Sequence, residues 1–296
     1  VTGKKTVVAH RGALSSALIA ILAVTWCGTG AGAAESSDLS LELVDPEVLR
    51  VCADPHNLPF SSEQGEGLEN RIAELFAAKL HKKLEYTYFP QATGFVHMTL
   101  GLHRCDVIMG FPQGDDLAQG TNPYYRTAYA LVFKTGSGLD EVETLEDPRL
   151  KGRPIGVVAG TPPATNMAVA GLMRTVKPYP LVIDTRRESS AETMVNDLVS
   201  GGIDAGVLWG PMAGYYARKA GPDYHVTPLV RETTGPKLVF RIGMAVRPSD
   251  QNWKRQLNRL IQENQEEINR ILRDFGVPLL DDSDHPLSVP AAKEEK

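Results

Sequence analysis

A chain of 296 residues with 31 basic and 36 acidic side chains, formal charge −5, presents no cationic excess of the kind that nucleic-acid binding requires. Its length suffices for a proper core and for two domains. A basic start (Lys4, Lys5, Arg11) precedes an apolar run from Ala13 to Trp26 and then the small residues Gly28 to Ala34, the order of a secretory signal peptide over residues 1–34. The run is about 14 residues, short of the roughly 20 needed to span a bilayer, so no membrane anchor is expected. Trp26 stands before Cys27, where a lipoprotein signal resembles one only with a small residue, so a lipid anchor is not expected either. Cleavage after Ala33 or after Ala34 satisfies a small-x-small rule equally. Losing Lys4, Lys5 and Arg11 takes the formal charge from −5 to −8, which reads as solubility.

Beyond a linker at 35–47, short apolar runs alternate with helical patterns, which predicts an α/β architecture. Leu49 to Ala53 reads as a strand, followed by a helix with Leu68, Ile72, Leu75, Phe76 and Leu80 on one face. Leu84 to Tyr88 is a second strand, Phe95 to Leu102 a helical stretch, and Asp106 to Met109 a continuous apolar strand of the buried parallel type. Tyr129 to Phe133 follows, and the polar, glycine-containing segment Lys134 to Gly138 is the first candidate hinge. Ile155 to Ala159 is a strand entering a helix at Thr161 and Pro162. Ser189 and Glu192 form a capping-box pair ahead of Met194, Val195 and Leu198, with Gly201 as the stop. Ile203 to Leu208 and Val239 to Val246 are strands, and Ser249 is expected to cap one long helix that ends at Phe275, before Gly276 and Pro278. The acidic, then Lys/Glu-rich residues after Leu280 read as a loose tail.

Two segments now carry a resemblance. Asp147 to Thr161, with Leu150, Gly152 and Ile155-Gly-Val157 running into a Gly-Thr helix start, resembles the entry to the second lobe of type II periplasmic solute-binding proteins; Gly201-Gly-Ile-Asp-Ala205 resembles a later strand entry in them. That resemblance implies a two-lobed fold, each lobe a mostly parallel sheet flanked by helices, with two crossing strands as hinge. Lobe I would comprise residues 48–133 and 239–276, lobe II residues 134–238, and the C-terminal tail 277–296. The ligand would lie between the lobes at the carboxyl ends of the strands. A narrower set, Val51 to Ser61, Gly65 to Asn70, Phe89-Pro-Gln91, Cys105 to Gly110, Pro123-Tyr-Tyr-Arg126 and Trp209-Gly-Pro211, is similar to the MoxJ/XoxJ family. These are binding-protein-like accessory proteins of quinoprotein methanol dehydrogenases. The resemblance implies a periplasmic, non-catalytic protein, monomeric alone, with no cofactor of its own. Its partner would be a dehydrogenase carrying pyrroloquinoline quinone (PQQ) and either calcium or a lanthanide, and that enzyme's cytochrome c would be a further candidate. The alternative is the substrate-binding subunit of an ABC importer for a small solute other than an amino acid.

Amino-acid carriers of this fold resemble one another in a Thr-x-x-Arg segment whose Arg grips the ligand carboxylate in a bidentate pair. Phe111 to Ala118 holds no Arg at that place, and Trp209 or Gly210 stands where an Asp would take the ammonium. The expected cleft is formed instead by Asn57, Phe60, Phe111, Tyr125, Arg126, Thr161 and Trp209, with lobe core as the alternative for each aromatic. Thr161 could bind an anion at its helix start, and Arg186 and Arg187 could bring charge to the cleft. Cys52 and Cys105 lie on or beside adjacent strands and are either a disulfide or two buried thiols. His103 and Cys105 are too few ligands for a metal site, and Asp281, Asp282 and Asp284 lack the Gly and distal Glu of a calcium loop. Gly65-x-Gly67 lacks the third Gly of a dinucleotide loop, and no nucleophile motif or phosphate loop stands in the sequence.

Overall fold

The computed structural model describes residues 42–287, so the expected signal segment with Cys27 and the terminal residues 288–296 lie outside the described residues. β1 (Val48–Ala53) leads through a two-residue-per-strand hairpin, β2 (His56–Asn57) and β3 (Ser61–Ser62), into α1 (Leu68–Leu80). Leu68, Ile72 and Phe76 fall on the buried face of α1 at helical spacing. β4 (Lys83–Tyr88) and β5 (Val107–Pro112) flank β1 in parallel, and a π-helical turn at His97–Gly101 precedes β5. After the short β6 (Gln119–Gly120), the ten-residue β7 (Tyr125–Lys134) carries the chain out of this half. The second half is β8 (Ile155–Val158), α2 (Pro162–Val169), β9 (Val176–Tyr179), α3 (Ser190–Val199), β10 (Ala205–Trp209), α4 (Gly210–Ala220) and β11 (Tyr224–Pro228). β12 (Val239–Val246) returns, and α5 (Gln251–Glu263) and α6 (Gln265–Asp274) close the first half.

The strands form one path in the order β4-β1-β5-β12-β7-β10-β8-β9, with β11 on β7 and β6 on β12. β7 holds it together. Tyr125 to Ala128 pair with β12, whereas Tyr129 to Phe133 pair with β10 and Ala130 to Lys134 with β11. The crossing between lobes therefore falls at Ala128 and Tyr129, earlier than the expected hinge at Lys134 to Gly138. That segment is a turn inside lobe II, where Thr135 N–H donates to the Asp223 carbonyl at 2.8 Å. A glycine-rich turn marks a change of direction, and a strand that crosses between lobes needs none.

Alternation along the strands gives each half of the sheet two cores, and a β-bulge between β5 and β12 shifts Phe111 onto the face of Ile108. In lobe I, Leu49, Val51 and Met109 pack under α1, α5 and α6, while Cys52, Ile108 and Phe111 pack with Phe95 and Leu100 on the opposite face. In lobe II, Leu131 and Phe133 face one cluster, and Ala130 and Val132 face the other beneath α3 and α4. Beside the lobe I core, buried Asp106 accepts from Arg50 Nε and Nη2 at 2.7 Å and from Arg247 Nη2 at 2.6 Å. Arg247 Nε lies 2.7 Å from Asp250 as an ion pair without hydrogen-bond alignment.

Four local expectations are corrected. The long C-terminal helix is broken at Asn264, whose φ of −120° leaves the helical region and whose side-chain amide donates to the Leu260 carbonyl. Its N-cap is Asp250, and the Ser249 hydroxyl donates to Asp250 Oδ1. Only half of the Ser189 box forms, because the Glu192 carboxylate turns away to Lys219 at 2.7 Å. The expected tail at 277–296 is docked as far as Leu287: Val277, Leu279 and Leu280 are buried, Leu280 N–H donates to the Arg126 carbonyl, and Leu287 N–H donates to that of Leu279. No helix of the described residues is long and apolar enough to cross a membrane.

Candidate functional site

A cleft of about 730 Å³ opens between the lobes where parallel strands end. The loop after β1 supplies His56, Asn57 and Phe60, β5 supplies Gly110 and Pro112, and the crossing strands supply Tyr125, Tyr129, Phe240 and Ile242. Lobe II adds Thr161 after β8, the loop Pro180 to Ser189 after β9, Trp209 at the end of β10, and Met212 and Tyr216 from α4.

Asp54 organises the lobe I rim. It is buried, and its carboxylate accepts from His56 N–H at 2.8 Å and Gln91 N–H at 2.7 Å, while its carbonyl takes the Ser61 hydroxyl. Asn57 then donates to the Gln91 side chain at 2.6 Å. Asn70 fixes the start of α1 by accepting from Ser62 and Gly67 N–H. Gly67 is required there, since a Cβ would sit 2.1 Å from the Phe60 carbonyl oxygen. The Tyr216 hydroxyl bridges the lobes, 3.3 Å from both the Leu58 carbonyl and the Ser189 hydroxyl.

The crossing strands bring three rings together. Trp209 meets Tyr129 edge-on with centroids 5.1 Å apart and Phe240 at 5.5 Å, and Tyr129 and Phe240 are 6.1 Å apart. All three are half-buried and line the cleft. Burial pushes the Tyr129 phenol up to about 12, so it stays neutral and can donate a hydrogen bond.

Glu69, in the first turn of α1, brings a carboxylate to the cleft. Its side chain lies over Gly110, where a Cβ would come within 2.1 Å of Oε1, and burial pushes its carboxyl up to about 7. The residue is half-buried, and it lines the cleft. Lobe II contributes Arg186, whose guanidinium forks onto both oxygens of Asp184, and the exposed Arg187.

Of the residues expected at the cleft, Asn57, Phe60, Tyr125, Thr161 and Trp209 line it, and Phe111 and Arg126 do not. Both errors are errors of facing, set by strand parity at Arg126 and by the bulge in the β5–β12 pairing at Phe111. Gly110 and Pro112 of β5 face the cleft, so Phe111 between them points to the far side, against the Cys52–Cys105 pair and Phe95. Tyr125 and Tyr129 face the cleft, so Arg126 points behind β7, where it pairs with Asp284 of the docked C-terminal segment. Thr161 keeps its hydroxyl bonded to the Val158 carbonyl at 2.6 Å. Cys52 and Cys105 are joined as a disulfide across β1 and β5, Cα atoms 5.5 Å apart, which removes Cys105 as a thiolate ligand. Asp281 is a turn residue, accepting from Ser283 and His285 N–H. The sequence reading missed Glu69, Tyr129 and Phe240; strand parity from Tyr125 was the signal available for Tyr129.

This fold and cleft define a periplasmic-binding-protein architecture of type II. No family model matches the chain. The crystal structure of the periplasmic binding protein XoxJ from Methylobacterium extorquens is 40% identical, with 79% of this chain and all of that one covered and a TM-score of 0.68. The crystal structure of MxaJ from Methlophaga aminisulfidivorans is 27% identical over 78% of this chain and 100% of that one, TM-score 0.66. Protein MoxJ of Methylorubrum extorquens is 29% identical over 95% of this chain and 98% of its own length. The chain belongs to the MoxJ/XoxJ family of solute-binding-like proteins.

Proposed function

We propose that this chain is a periplasmic, non-catalytic accessory protein whose cleft receives a surface segment of a PQQ-dependent methanol dehydrogenase and assists that enzyme's maturation or activity. The observation that carries this reading is the Trp209–Tyr129–Phe240 cluster, an aromatic face at a rim where carriers of zwitterions need charge. Interface energy concentrates in such rings. Family membership supports the choice of partner. The quinone and its calcium or lanthanide belong to the dehydrogenase, and the enzyme's cytochrome is a second candidate contact. The exposed Leu181 and Val182, in the loop whose Leu181 lines the cleft, extend the apolar face outward. The test is co-purification from periplasm with the dehydrogenase, followed by mass spectrometry of proteins and small molecules. Recovery of a permease with a small solute, and no dehydrogenase, would reverse the reading.

A second reading, the capture subunit of an importer, is favoured by the cleft volume, which lies within the roughly 300 to 1,000 Å³ range of small-molecule sites. The empty charge clamp restricts such a solute to something other than an α-amino acid.

A further inference from the structure

Four glutamates line the cleft, and three are accounted for by ordinary surroundings. Glu66 and Glu188 are exposed to water, and Glu192 is held by Lys219. Glu69 differs. It is half-buried, and among the described residues no hydrogen bond or ion pair reaches its carboxylate. Gly110 makes the room it occupies, because any side chain there would collide with Oε1. A carboxylate withdrawn from water and left without a donor is costly unless a partner completes it. The surroundings say which partner. Tyr125 of β7 and Ile242 of β12 stand directly opposite each other on the cleft floor. Phe240 lies two residues along the same face of β12, about 7 Å further by strand rise, and brings with it the rings of Tyr129 and Trp209. A carboxylate and a set of aromatic faces lining one cleft are the pairing that holds an ammonium group, through an ion pair on one side and ring quadrupoles on the other. A zwitterion is less well served, since Arg186 is already forked onto Asp184 and Arg187 is exposed in solvent.

We infer that Glu69 is the polar anchor of the cleft and takes a cationic amine, with the aromatic cluster receiving the apolar part that carries it. The amine is either that of a small apolar molecule or a lysine side chain of a protein segment. The inference rests on the cleft being the binding site, and it adds the chemistry of what enters.

The test is calorimetric titration of the full mature chain at pH 8, where Glu69 is ionised, with three probes. Phenethylamine represents a free apolar amine, N-acetyl-lysine methylamide a protein side chain, and 2-phenylethanol a neutral molecule of the first probe's shape. One of the two amines should bind about tenfold or more tighter than the alcohol. Glu69→Gln should abolish that preference without changing affinity for the alcohol, and Glu69→Asp should restore part of it. The tighter amine assigns the source. No binding by either amine, binding of both amines no tighter than that of 2-phenylethanol, or a preference that survives Glu69→Gln would each overturn the inference. Association of the dehydrogenase with the wild-type chain is measured separately. A cleft that selects the amine and ignores the enzyme keeps this inference and removes the partner reading; one that binds the enzyme with no amine preference does the reverse.

Discussion

Truncating Trp209 to Ala removes one ring from a three-ring cluster and opens the lobe II side of the cleft. The ring makes edge-to-face contacts with Tyr129 at 5.1 Å and Phe240 at 5.5 Å, each worth about 0.5 to 1.5 kcal/mol beyond area burial. Trp209 is only half-buried, so the expected stability loss is about 2 kcal/mol, below the roughly 3 to 5 kcal/mol of a fully packed aromatic. For a chain of this size that lowers the melting temperature by about 4 to 8 °C. A hot-spot contact to a partner should cost a further 2 kcal/mol of binding, a thirtyfold rise in Kd. Both quantities are read on one protein, by thermal melting and by surface-immobilised association with the purified dehydrogenase. Trp209→Phe, which keeps a ring against Tyr129, should recover most of the stability and part of the binding. A folded Trp209→Ala protein that associates with unaltered affinity would refute the assignment of the partner contact to this cluster.

Three further outcomes are expected. Replacing Cys52 and Cys105 together by Ala opens a loop with a sequence separation of 53 and should cost up to about 4 kcal/mol on a loop-entropy argument, measured as a shift in denaturant midpoint. Glu69 has its carboxyl raised to about 7 from 4.5, so its favourable contribution is complete below about pH 4.5 and is lost as pH rises through 7. Glu69→Gln should therefore match the wild type near pH 4 and be more stable above pH 7.5 by about 1 to 3 kcal/mol, at the lower end if water reaches the cleft; equal stability at both pH values would contradict the burial argument. Gly214→Ala places a Cβ 1.8 Å from the Gly276 carbonyl oxygen, where backbone must move, and should cost at least about 1 to 3 kcal/mol in the melt.

The elements with strong periodicity were legible: α1, β1, β4, β8 and β12 lie where apolar spacing puts them, and the two-lobed class followed from the Asp147 to Thr161 segment. α4 was not seen. It opens with Gly210-Pro211 and carries Gly214, residues that argue against a helix when read locally. The structure explains each. Pro211 sits in the first turn, where its missing N–H costs nothing, and Gly210 and Gly214 let α4 approach Thr127, Ala128 and Gly276 more closely than any Cβ allows. The docking of residues 277–287 was hidden for a related reason. Its anchors, the Arg126 carbonyl and side chain and the Thr127 hydroxyl, lie more than 150 residues away in sequence, and acidic composition alone resembles a free tail.

The site was half legible, and the line between the halves follows from which arguments are local. That the Arg and Asp places of the charged clamp carry other residues could be read from residue types alone, and aromatics line the cleft where the lobes meet. Which aromatics face the cleft depends on strand parity, and parity is fixed by pairing partners distant in sequence. β7 shows this most directly. Its residues 125 and 129 look into the cleft while Arg126 looks at the C-terminal segment, so one side of a single crossing strand reads the occupant and the other is tied by Arg126 to Asp284. Any rotation of the lobes about Ala128 must therefore shift Tyr129 and Trp209 on the lobe II side against Phe240 on the lobe I side, and with them the Arg218 bonds from α4 to the Arg273 and Asp274 carbonyls. Recognition in the cleft and the set of the hinge therefore share the Tyr129–Trp209–Phe240 cluster.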